Sequence, residues 1–243
     1  MGRFAAILPA AGRSSRFGDP TTRKIYADLD GRAVWLRSLQ PFLNNARVGQ
    51  LIVAIAEDDR EAFERRHRDD VALLGLDVVT GGAERADTVA AALARVKGSC
   101  DFVAVHDAAR PCVAPGLVDA VFDAALAHGA AMPAIAVADT VKRAVDGFVT
   151  ETVPRAGLFL AQTPQVFRRD WLAEAYERRD PAAPATDDAR LVEAAGRRVA
   201  IVAGSAFNLK ITTRDDLRLA RAVLKMLETE EEAGTSPPES LDP

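Results

Sequence analysis

Short apolar runs separated by amphipathic stretches recur along most of the chain. Phe4 to Leu8 is unbroken apolar sequence that stops at Pro9, the length of a strand buried on both faces. Ala33 to Leu43 places Val34, Leu36, Leu39 and Phe42 at helical spacing. Leu51 to Ile55 reads as a second strand, Asp58 to Arg68 as a charged surface helix, and Leu76 to Val79 as a third strand. Glu84 to Val96 reads as an Ala-rich helix, Phe102 to Val105 as a fourth strand and Pro115 to Ala127 as a helix. Wholly apolar strands alternating with helices predict an α/β fold, with a mainly parallel twisted sheet flanked by helices on both faces. Ligands of such sheets bind beyond the carboxyl ends of the strands, so the residues just after each strand are the ones to read for chemistry.

The pattern changes after Ala134. Ile135 to Arg143 and Phe148 to Arg155 are short extended pieces around Asp146-Gly147, a hairpin-turn dipeptide, and residues 139–155 are expected to form a projecting β-hairpin arm. Between Arg155 and Val199 the pattern assigns no element. Val199 to Val202 is a late strand, and Thr213 to Leu227 a terminal helix opened by a capping-box pair, Thr213 and Asp216. From Glu228 the composition turns to Glu, Thr, Ser, Pro and Gly, too polar to offset its ordering entropy. The expected organisation is one domain over residues 1–228 and a disordered acidic tail over 229–243. No internal repeat is visible.

Composition narrows the function classes. The chain has 243 residues, 49% hydrophobic and 27% charged, enough for a substantial core. A net charge of -4 disfavours broad nucleic-acid binding, although a local Arg and Lys cluster can still oppose it for a small anion. Cys100 and Cys112 have no metal-type spacing and read as ordinary buried thiols. No apolar run is long enough to span a membrane, and the apolar run ending at Pro9 is too short for a signal peptide, so a cytoplasmic location is expected.

The chemistry-bearing segments follow the strands. Pro9-Ala10-Ala11-Gly12-Arg13-Ser14-Ser15-Arg16 brings small residues and a glycine to a strand end, where backbone N–H groups can approach an anion. Arg16 adds a forked donor for phosphate and Lys24 a point charge. The segment fits neither the Walker loop nor the dinucleotide fingerprint, and a solvated surface loop is the plain alternative. Gly81-Gly82-Ala83-Glu84-Arg85-Ala86-Asp87-Thr88 permits close backbone approach, with Asp87 and Thr88 either bonding a base or ribose or simply capping a helix. In Val105-His106-Asp107-Ala108-Ala109-Arg110-Pro111, Asp107 could hold a hard cation, and Arg110 could fix that carboxylate or reach a phosphate; a structural Asp–Arg pair is the alternative. His106 lacks a second His or Cys at metal spacing and reads as structural. Thr140, Lys142, Arg143 and Arg155 lie on the arm, where basic residues usually form a solvated face, and Lys210 precedes the last helix as a phosphate clamp or a surface lysine.

Taken in order, PAAGRSSRFG, GGAERADTV, VHDAARP, DTVKR, LAQTPQVF, TDDA and NLKIT resemble the 2-C-methyl-D-erythritol 4-phosphate cytidylyltransferase family, over Pro9 to Thr212. The resemblance implies a Rossmann-like nucleotidyltransferase fold, a homodimer clasped by the arms, CTP and a polyol phosphate as substrates, a divalent ion such as Mg²⁺, and release of pyrophosphate. It implies that Arg16, Lys24, Arg155 and Lys210 are catalytic. Pro9, Ala10, Ala11, Gly12, Gly82, Asp87, Thr88, Asp107 and Ala108 would hold the nucleotide, with Asp107 by the ribose and the metal. Asp107, Arg110, Thr140, Arg155, Thr186 and Lys210 would face the acceptor. The lysine stands in Arg23-Lys24-Ile25-Tyr26 where the family pattern has Pro-Lys-Gln-Tyr, and Phe207 precedes Asn208 where relatives are often acidic. A cytidylyltransferase for another polyol phosphate, such as ribitol 5-phosphate, and a catalytically silent nucleotide-binding subunit are the alternative readings. A glycosyltransferase would need an Asp-x-Asp motif that Asp107-Ala108-Ala109 does not supply.

Overall fold

The computed structural model describes residues 2–12, 17, 23–180 and 186–232. The main sheet is built from β1 (Phe4–Pro9), β4 (Val48–Ile55), β5 (Asp77–Thr80), β6 (Phe102–Val105), β7 (Ala130–Ala136), β10 (Phe159–Ala161), β11 (Gln165–Arg168) and β12 (Ala200–Ala203). A small hairpin, β2 (Asp28–Leu29) and β3 (Arg32–Ala33), and the arm, β8 (Val141–Val145) and β9 (Phe148–Val153), are separate two-stranded sheets. The sheet runs β10-β7-β11-β6-β1-β4-β5, with β12 added to β7. β4, β1 and β6 are parallel neighbours and β5 joins β4 in parallel, whereas β11 enters antiparallel between β6 and β7. Ala131 pairs with both Val166 and Ala200, so β12 occupies the edge of β7 opposite β11, while β10 pairs antiparallel with the far end of β7.

Alternation along β1 shows why both faces are covered. Phe4, Ala6 and Leu8 pack with Trp35, Leu39 and Phe42 of α1 (Val34–Leu43) and with Val118, Val121 and Phe122 of α4 (Pro115–His128). Phe4 stacks on Phe122 with ring centroids 3.9 Å apart. Ile7 points the other way, to Val89 and Ala92 of α3 (Arg85–Leu93), Leu172 and Ala175 of α5 (Arg169–Glu177), and Val192 of α6 (Asp188–Ala194). Side chains of successive strand residues point to opposite faces, so a strand without polar positions needs two apolar covers. Of the remaining helices, α2 (Arg60–Leu74) adds Phe63 to the α1 side, and α7 (Arg214–Glu232) packs Ala220, Val223 and Leu224 in a separate cluster with Leu29 and Val34.

The expected α/β architecture is what forms, and the turn chemistry at Asp146-Gly147 acts as read: both residues have positive φ, 51° and 84°, as a two-residue hairpin of this hand requires. The capping box of α7 also forms. Asp216 N donates to Thr213 Oγ1 at 3.2 Å, and Thr213 N donates to Asp216 Oδ2 at 2.8 Å. Three expectations need correction. The extended piece read over Ile135 to Arg143 is two: Ile135 and Ala136 close β7 in the main sheet, and the arm strand β8 begins only at Val141. The segment between Arg155 and Val199 contains β10, β11, α5 and α6. The terminal helix runs on to Glu232, into the stretch expected to be unstructured, because a polar segment can extend an established helix without burying anything; residues 233–243 lie outside the described residues.

Candidate active site

β1, β4, β5 and β6 are parallel, so their carboxyl ends lie along one edge of the sheet. The loops that leave them build the walls of a single cavity of about 410 Å³. Pro9, Ala10, Ala11 and Gly12 come from β1; Ala56, Glu57 and Asp58 from β4; Gly81 to Arg85, with Thr88, from β5; and Asp107, Ala108 and Ala109 from β6. Arg23, Lys24, Ile25 and Lys210 complete the lining. The chain crosses from β1 to β4 and β5 on one side and returns to β6 on the other, so the cavity sits at the topological switch point. A larger hollow of about 600 Å³ lies at the opposite end of the sheet, around Phe102, Gly129 and Trp171. Its Arg168 is already paired with Asp170 at 2.7 Å. The smaller cavity is the one where strand-end loops and cationic side chains converge.

The glycine pair after β5 is required by packing. A Cβ on Gly81 would lie 2.8 Å from Ala11 Cβ and from Thr88 Cγ2, and one on Gly82 would lie 2.3 Å from Asp87 Cβ. Their absence lets the β1 loop close against the start of α3. Thr88 Oγ1 donates back to Glu84 O at 3.0 Å, and Asp87 Oδ2 accepts from Glu84 N at 3.2 Å. Asp87 is also paired with Arg179 at 2.9 Å. Asp87 therefore serves the helix start and is not among the residues lining the cavity, whereas Thr88 is.

Asp107 is the electrostatic centre. It is buried, its Oδ2 lies 2.7 Å from Lys210 Nζ, and its Oδ1 lies 3.3 Å from Arg85 Nε. Burial alone would push its carboxyl pKa up, but Arg85, Lys210 and Arg110 outweigh that and hold it well below the usual carboxylate range. Arg85 reaches past Asp107 to the fully buried Asp188 at 2.8 Å, and Tyr176 Oη donates to the other oxygen of Asp188 at 2.5 Å. Burial disfavours the Arg85 charge, but Asp188 and Asp107 reverse this and raise its pKa.

Lys210 is brought in by a zipper between segments remote in sequence. Ile211 N donates to Ala109 O at 2.8 Å, Arg110 Nη1 donates to Asn208 O at 2.6 Å, and Asn208 Nδ2 donates to Thr163 O at 2.8 Å. Arg110 thus fixes the loop, its Nε standing 3.8 Å from Asp107. His106 is structural, as its spacing indicated. Its Nε2 faces Arg110 O at 3.1 Å and its Nδ1 faces the Thr163 hydroxyl at 3.0 Å. A neutral ring protonated on Nε2 satisfies both, donating to the carbonyl and accepting from the hydroxyl, and burial depresses its pKa to about 4. Cys100 and Cys112 are buried free thiols, and burial pushes Cys112 up to about 12.

Of the residues named from sequence, Pro9, Ala10, Ala11, Gly12, Lys24, Gly82, Thr88, Asp107, Ala108 and Lys210 line the cavity together. Arg16 lies outside the described residues. Arg155 is exposed on the arm and donates to Ala138 O; Thr140 is on the same arm, and Thr186 is exposed before α6. These three are not among the lining residues. Arg23, Arg85 and Thr163 are the additions. Arg85 had a visible signal, a cation in the first turn of a helix after paired glycines past a strand; Thr163 had none, since only folding sets it against His106. Among the described residues no three His, Cys, Asp or Glu side chains gather as a metal cage. Magnesium is commonly held by one or two carboxylates plus substrate phosphates, and the buried carboxylate Asp107 on the cavity wall fits an ion that shares its ligands with a bound nucleotide.

Fold and site together define an α/β enzyme of the nucleotidyltransferase class. The family model described as "IspD: 2-C-methyl-D-erythritol 4-phosphate cytidylyltransferase" matches residues 4–226. The chain belongs to that family. It is 40% identical over 237 residues to the 2-C-methyl-D-erythritol 4-phosphate cytidylyltransferase of Rhodopirellula baltica, covering 93% of this chain and 96% of the relative. It is 44% identical over 232 residues to the protein of that name from Pelotomaculum thermopropionicum, covering 93% and 95%. Among solved structures, the 2-C-methyl-D-erythritol 4-phosphate cytidylyltransferase of Thermus thermophilus superposes with a TM-score of 0.75 at 34% identity, covering 93% of this chain and all (100%) of that one. A 4-diphosphocytidyl-2C-methyl-D-erythritol synthase gives 0.78 at 31% identity, covering 92% and 99%. No helix among the described residues is long and apolar enough to cross a membrane.

Proposed function

We propose that this chain transfers the cytidylyl group of CTP to 2-C-methyl-D-erythritol 4-phosphate, forming 4-diphosphocytidyl-2-C-methylerythritol and pyrophosphate, a step toward isoprenoid precursors. The relatives that carry this activity in their names support the reading. The observation that carries it is the convergence of Lys24, Arg85 and Lys210 on one cavity around Asp107.

An oxygen of the acceptor phosphate attacks the α-phosphorus of CTP. The bond from that phosphorus to the oxygen bridging the β-phosphate breaks, and pyrophosphate leaves with the electron pair. The nucleophile is already ionised, so no general base is needed; two polyanions must instead be brought together and aligned. Lys24 and Lys210 supply charge in place before the phosphates arrive, with Arg16 assigned beside them by family likeness. Asp107 fixes Lys210 and Arg85, so little reorganisation accompanies transfer. Asp107 would hold a magnesium ion, which would supply further positive charge at the reacting centre. Ala10, Ala11, Gly12, Gly82 and Thr88 give a close-packed wall for the cytidine.

Arg155, Thr140 and Thr186 form the acceptor end in this reading, and the arm of a second copy is the means of bringing them to the cavity. The exposure of Phe148 and Val149 on the arm supports a homodimer. The test is pyrophosphate release from CTP and Mg²⁺ with methylerythritol phosphate, run beside ribitol 5-phosphate and beside ATP, GTP and UTP. Turnover with CTP and methylerythritol phosphate is expected. CTP binding without turnover, or turnover on ribitol 5-phosphate instead, would overturn it.

A further inference from the structure

Lys24 sits in a single turn of 3-10 helix, Lys24–Tyr26, and the residues on either side of the lysine reach for the same atom. Arg23 Nε lies 2.9 Å from Asp59 Oδ2, and Tyr26 Oη donates to that same oxygen at 3.3 Å. Arg23 also donates through Nη1 to Ala11 O at 3.3 Å, tying the turn to the loop after β1. The Tyr26 ring packs near Phe63 and His67 of α2, with centroids 6.2 Å away in each case. Asp59 occupies the N-cap position of α2, where an aspartate ordinarily accepts from the helix's own N–H groups, yet it makes no side-chain cap bond. Its carboxylate is turned instead to Arg23 and Tyr26. It follows Glu57 and Asp58, which line the cavity, so it joins the wall built by the β4 loop to the wall that carries the lysine.

We propose that Asp59 is a positioning residue for Lys24: by gripping Arg23 and Tyr26 it fixes the lysine's turn at the height of the transferred phosphate and holds the β1 loop through Arg23. The proposal rests on the catalytic reading of Lys24. Ile25 buries the core side of the turn, while Lys24 faces the cavity and Arg23 and Tyr26 are tied to Asp59, and about 1 Å of misplacement of a charge-stabilising group is enough to slow catalysis severely. Tyr26 is mostly buried, and burial with the neighbouring Asp59 charge raises its pKa, so its hydroxyl remains a donor.

The test is a set of variants assayed for kcat, KM for CTP and Tm. Lys24→Ala sets the reference, with kcat expected to fall about 10²-fold or more. Asp59→Ala is expected to lower kcat about tenfold while KM for CTP moves less than about threefold, since it displaces the lysine without removing a substrate contact. Asp59→Asn keeps an oxygen that can accept from both Arg23 and Tyr26, so it preserves the grip that Asp59→Ala removes. Asp59→Asn should therefore keep kcat within about threefold of wild type, whereas a role that does not act through this grip would leave Asp59→Asn no better than Asp59→Ala. Should Asp59→Ala fail to fold, Tyr26→Phe and Arg23→Ala take its place, each lowering kcat with Tm held. Full kcat in Asp59→Ala beside an inactive Lys24→Ala overturns the clamp alone, as does an equal loss in Asp59→Ala and Asp59→Asn. Turnover retained by Lys24→Ala itself overturns the catalytic reading and the clamp together.

Discussion

His106 and Asp107 are neighbours driven in opposite directions by their partners. Both are buried. Asp107 meets Arg85 and Lys210 and keeps its charge, while His106 meets a hydroxyl and a carbonyl and stays neutral. The consequence is a pH dependence with separate windows. With its folded pKa lowered to about 4 from 6.5, His106 in the folded chain refuses a proton that the unfolded chain accepts between those values. Stability therefore falls as pH drops through that window, by about 2 kcal/mol from this residue by pH 5. Asp107, whose folded pKa is depressed, contributes stability that is complete above the ordinary carboxylate pKa and is lost only below it. Urea unfolding from pH 7.5 to pH 4.5 should show a steeper loss for the wild type than for His106→Gln. Parallel curves would show that His106 titrates normally.

At the scale of elements, the decisive piece is the junction of β5 and α3. The glycine pair matters through what is missing from it, because the β1 loop and the first turn of α3 fill the space a side chain would take. Gly82→Ala should raise KM for CTP about tenfold or more and lower Tm by several degrees, since the nearest obstacles include Asp87 backbone atoms, which cannot swing aside. Gly98→Ala is the control: an added Cβ there meets nothing within 4 Å, and both quantities should stay near wild type. The junction was legible in sequence because glycines beyond an apolar strand announce close approach. The role of Asp87 was not, since capping and substrate contact ask for the same residue; the hydrogen bond to Glu84 N and the pairing with Arg179 place it with the helix.

For the molecule as a whole, the arm is the part that a single copy leaves unsatisfied. β8 and β9 pair only with each other, and a lone two-stranded hairpin is marginal in water. Val145, Phe148 and Val149 are 57%, 77% and 63% exposed, which suits strands awaiting a partner surface. Sedimentation velocity should find a dimer at micromolar concentration, and Phe148→Asp should shift it to monomer with loss of activity per chain. A monomeric wild type with full activity would show that Arg155 and Thr140 are not needed at the cavity.

The chain's own pattern determined the alternation of strands and helices, the arm with its Asp146-Gly147 turn, and the loops that would carry the chemistry, because each of these is written in neighbouring residues through periodicity, turn preference and glycine placement. It could not reveal β11 entering antiparallel between β6 and β7, since strand order depends on which edges meet in space. Nor could it reveal that Arg23 and Tyr26 share Asp59, or that Asp188 stands behind Arg85. Ion pairs of that kind join residues from different elements, and their partners are chosen only when the sheet has assembled and burial has made an unpaired charge too costly to leave alone.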